Sequence, residues 1–253
     1  MPEQTFHTPL PLTLDVSIPA GDIEVETVEG DQSTVEVSGD DSLLENLEVR
    51  QDGDRLVVAL RGKSKFGFVV AFGSQVFGNA GLRVQARVPH GSGVKVKTAS
   101  ADLDIEGQIA ELDVNSTSGD VRARGVIAGD ANVKIVSGDV ELDRLGGDLS
   151  VQSVSGDLRV GAAGGSVDTK SVSGDIRLEA VSAGEAHFTS VSGDIEIGIA
   201  QGSFLDVDAG STSGDLSSEV PLASAPGGEG EDGPTVVLRG KTISGDVRVF
   251  RAS

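Results

Sequence analysis

The chain has 253 residues, of which 35 are glycine, with no cysteine, tryptophan or tyrosine and a single methionine. Its 38% hydrophobic content rests on Val, Leu, Ile and Ala, which suits thin sheets with narrow interiors and argues against a core of large aromatic side chains. Forty acidic against 20 basic residues give a net charge of −20. That argues against nucleic acid or an anionic membrane surface as a partner, since either needs clustered Lys and Arg, and the lack of cysteine excludes a disulfide framework.

The first twenty residues, MPEQTFHTPLPLTLDVSIPA, have neither a basic start nor a continuous apolar run, so no signal peptide is expected. No stretch reaches the roughly 18 apolar residues of a membrane span, and a cytoplasmic location is the expectation unless export information lies outside this sequence. Residues 1–92 contain strand-like runs (LTLDVSI, DIEVETV, STVEVSG, DRLVVAL, LRVQARV) without a strict period, and a helical turn is predicted from Asp41 to Leu47. They read as an irregular β cap on the repetitive region that begins at residue 93, because an uncapped stack of strands exposes open edges. Ala20-Gly21-Asp22 suggests that the cap contains one decayed coil. The stretch from Phe66 to Asn79, FGFVVAFGSQVFGN, holds four of the eight phenylalanines. Phe66, Phe68, Phe72 and Phe77 are expected to plug the first coil, with partner contact as the alternative.

From residue 93 the chain repeats. Ser-Gly-Asp ends at Asp120, Asp139, Asp157, Asp175, Asp194, Asp215 and Asp246, in steps of 19, 18, 18, 19, 21 and 31, and a degenerate Ser-Ala-Asp ends at Asp102. A second turn falls about halfway along each period, at Gly129-Asp130, Gly147-Asp148, Gly165-Ser166, Gly184-Glu185 and Gly202-Ser203. Between turns, apolar residues alternate, as in Leu149, Val151 and then Leu158, Val160, which is the period of half-buried strands. The predicted fold is all-β: a parallel β-solenoid, a single-stranded β-helix expected to be right-handed, with about 18–19 residues per coil and coils stacked ~4.8 Å apart. A left-handed hexapeptide helix also has eighteen-residue coils. Its register fails, since six residues back from Leu145 is Asp139 and six on from Val140 is Gly146. The long last step is explained by Ala223 to Pro234, ASAPGGEGEDGP, a mobile insertion too rich in Gly, Pro and acid to bury apolar surface. The repeat then resumes at TVVLRGKTISGDVRVF.

Stacking aligns like positions into columns. The Asp column is a structural turn ladder in which each Asp is expected to cap its own turn by accepting backbone N–H bonds. Calcium is the rival occupant, but calcium-binding rolls use Gly-Gly-x-Gly-x-Asp and only the final dipeptide is present here. Two residues after each Asp lies an outward column, Arg122, Glu141, Arg159, Arg177, Glu196, Ser217 and Arg248, in which opposite charges on adjacent rungs favour register. Another column comprises Thr117, Val136, Val154, Val172, Val191, Thr212 and Ile243. The strand is expected to bend there and take this column into the core. Strict alternation would instead leave it outside, as a β-branched stripe able to pair two solenoids.

His7, His90 and His187 stand far apart in no motif, and there is no Walker loop or dinucleotide fingerprint. No catalytic residues, cofactor or metal are therefore expected. The strings TSGDVRARGV, VSGDVELDRL, VSGDLRVGAA, VSGDIRLEAV and VSGDIEIGIA resemble the bacterial putative-adhesin family of β-strand-repeat domains of unknown function, over residues 94–253. The resemblance implies a β-solenoid with no established enzymatic activity. The expected role is a non-catalytic interaction or scaffold module meeting an unknown protein or glycan partner. The alternatives are a self-assembling, bactofilin-like solenoid and a polysaccharide-acting enzyme with a cleft beside residues 66–79 or 223–234.

Overall fold

The computed structural model describes residues 3–61, 81–220 and 234–252. It is an all-β chain of parallel rungs, a β-solenoid, and its contacts divide into two units at Ala128 and Gly129.

In the first unit the strands are β1 (Gln4–His7), β2 (Thr13–Val28), β3 (Gln32–Gly39), β4 (Leu47–Asp52), β5 (Arg55–Leu60), β6 (Leu82–Pro89), β7 (Ser92–Ser118) and β8 (Val121–Ile127). β2 is itself a coil. Its first half lies parallel between β5 and the start of β7, and its second half lies parallel between β6 and the next part of β7, with Gly21 opposite Ala101 and Asp22 opposite Asp102. The cap expected over residues 1–92 thus contains a full rung, as Ala20-Gly21-Asp22 suggested. Beyond it the pairing turns antiparallel: β3 runs against β6, β1 against β3, and β4 against β5. Antiparallel strands break the pattern that another parallel rung would extend. The helical turn is α1 (Asp41–Leu44), started by Asp40, whose carboxylate accepts from the Ser42 hydroxyl and the Ser42 N–H. Those two bonds hold the Asp40 carboxyl below its ordinary pKa.

The described residues of the second unit form six rungs of two strands: β9 (Ala131–Ser137) with β10 (Val140–Leu145), β11 (Leu149–Ser155) with β12 (Leu158–Ala163), β13 (Val167–Ser173) with β14 (Ile176–Val181), β15 (Gly184–Ser192) with β16 (Ile195–Ile199), β17 (Phe204–Ser213) with β18 (Leu216–Ser218), and β19 (Thr235–Ser244) with β20 (Val247–Arg251). Leu142, Val160 and Leu178 stack in register, as do Leu149 and Val167, and all are buried. Each aliphatic side chain is covered by the rung on either side, and its burial contributes about 1.5 to 3 kcal/mol.

The rungs do not stack in chain order. β19 and β20 lie parallel between the β15–β16 rung and the β17–β18 rung, so the last coil in sequence is threaded inside and the penultimate one lies outermost. Spacing along the chain predicts a simple succession. The long connection between β18 and β19, from Glu219 to Pro234, gives the chain the reach to step past one rung and return beneath it.

A second difference concerns aromatics. Phe188 is 2% exposed and belongs to an inward column of Val133, Val151, Thr169, Phe188 and Gly240. The ring fits because the rung above offers Gly240 there: a Cβ on Gly240 would lie 2.5 Å from both Phe188 Cδ2 and the Phe188 carbonyl oxygen. One large side chain is thus accommodated by the smallest one 52 residues later. Gly240→Ala should therefore cost about 2 to 3 kcal/mol of stability by overpacking, measurable as a lower urea midpoint with unchanged slope.

Candidate functional site

The Ser-Gly-Asp turns build a ladder that differs from the expected one. The Asp carboxylates do not cap their own turns. Asp157 donates its backbone N–H to Asp139 Oδ1, Asp175 to Asp157, Asp194 to Asp175, Asp246 to Asp194 and Asp215 to Asp246, each at 2.9 Å. In the first unit Asp120 donates likewise to Asp102, at 2.9 Å. Each of these accepting carboxylates is thus a bolt between rungs, and like charges about 4.8 Å apart are offset by charge-assisted hydrogen bonds. In the Ser-Gly-Asp copies the residue before Asp is glycine, and the close approach of the rungs leaves no room there for a side chain. Gly156 has φ +123°, and a Cβ there would meet the Gly138 carbonyl oxygen at 2.1 Å.

The second turn carries a parallel ladder. Asp148 donates its N–H to Asp130 Oδ1 at 2.9 Å, Ser166 to Asp148 at 2.8 Å, and Glu185 to the Ser166 hydroxyl at 3.4 Å. This ladder edges a hollow of about 430 Å³ that His187 also lines. Because the acceptor matters more than the charge, Asp157→Asn should leave the melting temperature unchanged or slightly raised. Asp157→Ala should lose about 1 to 2 kcal/mol, and thermal unfolding of both variants checks this.

The outward charge column is paired unevenly. Arg177 meets Glu196, and Arg177 also lies 5.8 Å from the Phe250 ring centroid. Arg248 pairs with Glu219 at 2.6 Å, and that hydrogen bond raises the Arg248 pKa. Arg159 and Arg177, however, are like charges in direct register.

On the first unit, charged columns line a cleft of about 500 Å³. Arg87 pairs with Glu26 at 2.8 Å, Gln85 donates to Glu24 at 2.7 Å, and Arg124 lies 3.4 Å from Glu106. Partial burial opposes the charge on the Arg122 guanidinium, but Asp120, Asp104 and Asp102 outweigh it and raise its pKa. Sequence reasoning missed this cleft, because its residues come from β2, β3, β6, β7 and β8 and meet only through the register of the cap. The histidines remain apart: His7 faces Asp31 at 3.4 Å and His90 Nδ1 lies 2.7 Å from the Thr27 hydroxyl. Among the described residues no three His, Asp or Glu side chains gather as a metal ion would need. Phe66, Phe68, Phe72 and Phe77, and the 223–234 insertion except Pro234, lie outside the described residues.

The Val column is where the structure overturns the expectation most clearly. No bend takes it into the core. Ser153 and Ser171 turn their hydroxyls inward, where neither has a hydrogen-bond partner among the described residues, and alternation puts the next residue outside. Val136, Val154 and Val172 are each 47% exposed, Val191 is 43% exposed and Ile243 is 56% exposed. They follow one another on five adjacent rungs of the second unit, since Ser155 aligns with Ser137 and Ser173, and Ser192 with Ser173 and Ser244. Apolar side chains this large are normally scattered singly on a surface. Here they form a straight stripe.

The sequence profile of Toastrack DUF4097 matches residues 12–250. The chain belongs to that family. The Toastrack match begins at β2 and therefore takes in the cap as well as the regular repeat. Among solved structures, a putative lipid binding protein from Parabacteroides distasonis is similar at 14% identity and a TM-score of 0.56, over 98% of this chain and 96% of that one. A putative adhesin from the same species is similar at 14% identity and a TM-score of 0.54, over 98% of this chain and 95% of that one. At such identities the likeness is one of Toastrack fold. No curated protein matches the sequence. Among the described residues no helix is long and apolar enough to cross a membrane.

Proposed function

We propose that this Toastrack chain is a non-catalytic interaction or scaffold module that presents the repeated faces of its solenoid to a protein or glycan partner. The observation that carries this is the stripe of Val136, Val154, Val172, Val191 and Ile243, half-exposed on consecutive rungs. Leaving five β-branched side chains in water forgoes burial worth about 0.8 kcal/mol per methylene-sized group, and a partner that covers them recovers it. The charged groups support the same reading. Two arginines of the cleft are engaged by neighbouring acids, Arg87 by Glu26 and Arg124 by Glu106, which fits a charged contact surface.

The test compares the chain with its Val154→Glu/Val172→Glu variant on glycan arrays and in crosslinking capture from the source cell. Both substitutions point into solvent, so thermal unfolding should be unchanged while partner retention falls at least tenfold. Turnover of a glycan or ester substrate at enzymatic rates by the purified chain would count against the proposal.

A further inference from the structure

We infer that the stripe is covered by a second copy of this chain, packed stripe to stripe with the two stacks parallel and related by a two-fold axis along the stripe. The inference rests on the interaction-module function above and names its partner.

Three features point to this occupant. The first is pitch. The stripe offers one branched side chain per rung, and a partner meets all five equally only if its own side chains recur at the same rung spacing. A helix rises in steps of about 5.4 Å per turn, whereas strands stack at about 4.8 Å, and an identical stack matches without drift.

The second is the charge on either flank. Two residues before the stripe, about 6.6 Å along the strand and on the same face, the exposed column reads Lys134, Gln152, Lys170, Thr189 and Lys241. Three residues after it stand Asp139, Asp157, Asp175, Asp194 and Asp246, whose Oδ1 atoms take the N–H of the next rung. Each copy therefore carries a basic column on one side of the stripe and an acidic ladder on the other. A two-fold axis along the stripe exchanges the sides, so each lysine column meets the partner's Asp ladder. An axis across the stripe would set lysine against lysine and aspartate against aspartate. Complementarity thus selects the parallel arrangement, and an isologous contact closes at two copies.

The third is the availability of the lysines. Lys170 has Asp168 on its own strand at 3.6 Å. Lys134 and Lys241 have no ion-pair partner among the described residues.

Because the chain has no cysteine, single-cysteine variants read the arrangement directly. In the parallel arrangement every rung faces itself, so Val136→Cys, Val172→Cys and Ile243→Cys should each form a homodimeric disulfide under diamide. Each should do so at least tenfold faster than Arg159→Cys, which lies outside the stripe. Sedimentation of the unmodified chain should show a concentration-dependent dimer that Val154→Glu/Val172→Glu abolishes, with thermal unfolding unchanged at concentrations where the unmodified chain is itself monomeric. If only Val172→Cys crosslinks, the copies run in opposite directions and the parallel arrangement is overturned. A strict monomer whose stripe variants crosslink no faster than Arg159→Cys overturns the second copy altogether. If that monomer still loses a glycan or protein partner on Val154→Glu/Val172→Glu, the interaction-module function stands and only the identity of its partner falls.

Discussion

Gly156→Ala should lower stability by roughly 3 to 5 kcal/mol, combining backbone strain with overpacking, and the melting temperature by on the order of 10 °C. The added methyl would stand 2.1 Å from the Gly138 carbonyl oxygen, at a φ of +123° that side chains rarely adopt. To admit it, the rungs must separate, which also lengthens the hydrogen bond from Asp157 N–H to Asp139 and its neighbours. Gly202→Ala separates the two causes. Gly202 also has a positive φ, of 83°, but a Cβ there meets nothing within 4 Å, so strain alone of about 1 to 2 kcal/mol is expected. Equal losses at the two positions would mean that close approach of rungs contributes nothing. Calorimetry on the two variants decides.

Leu238→Asp combined with Val247→Asp should be larger still. Both residues are 0% exposed, and each unpaired buried carboxylate costs several kcal/mol or forces local unfolding. The inserted position of β19 and β20 determines where the damage spreads. Stability in stacked repeats is roughly a sum of nearest-neighbour terms, and this rung is neighbour to both β15–β16 and β17–β18. Hydrogen exchange should therefore accelerate by at least a hundredfold in β17 and measurably in β15, while β9 to β12 stay protected. Were β19 and β20 simply the end of the stack in chain order, β15 would keep its protection.

The sequence made the rung legible because its determinants are local. Seven Ser-Gly-Asp copies set the corners, and alternation such as Leu149, Val151 and Leu158, Val160 set the inward face. Relations between rungs stayed hidden. That Asp157 serves as acceptor for Asp175 and not for its own turn depends on which backbone lies 18 residues away in space. The steps of 21 and 31 after Asp194 mark an irregularity, but steps cannot tell succession from insertion. Phe188, in a column of Val133, Val151 and Thr169, has Gly240 stacked on it, but Ala209 of the penultimate rung occupies the same column, so a small residue there does not reveal the threading. The stripe was legible too. With Ser153 inward, alternation placed Val154 outside, and only the expectation that β-branched residues seek the core favoured a bend. The Lys134, Lys170 and Lys241 column beside it comes from the same alternation once the rungs are aligned.

The stacking of the second unit is tested most directly by methyl nuclear Overhauser effects on the intact chain. Val160 should contact both Leu142 and Leu178, 18 residues to either side, and Leu238 should contact both Ala186 and Val207. Ala186 and Val207 should show no effect between them, being about two strand spacings apart. A direct effect between Ala186 and Val207, with Leu238 reaching only one of them, would contradict the threaded order, and loss of the Val160 contacts would contradict the stack itself.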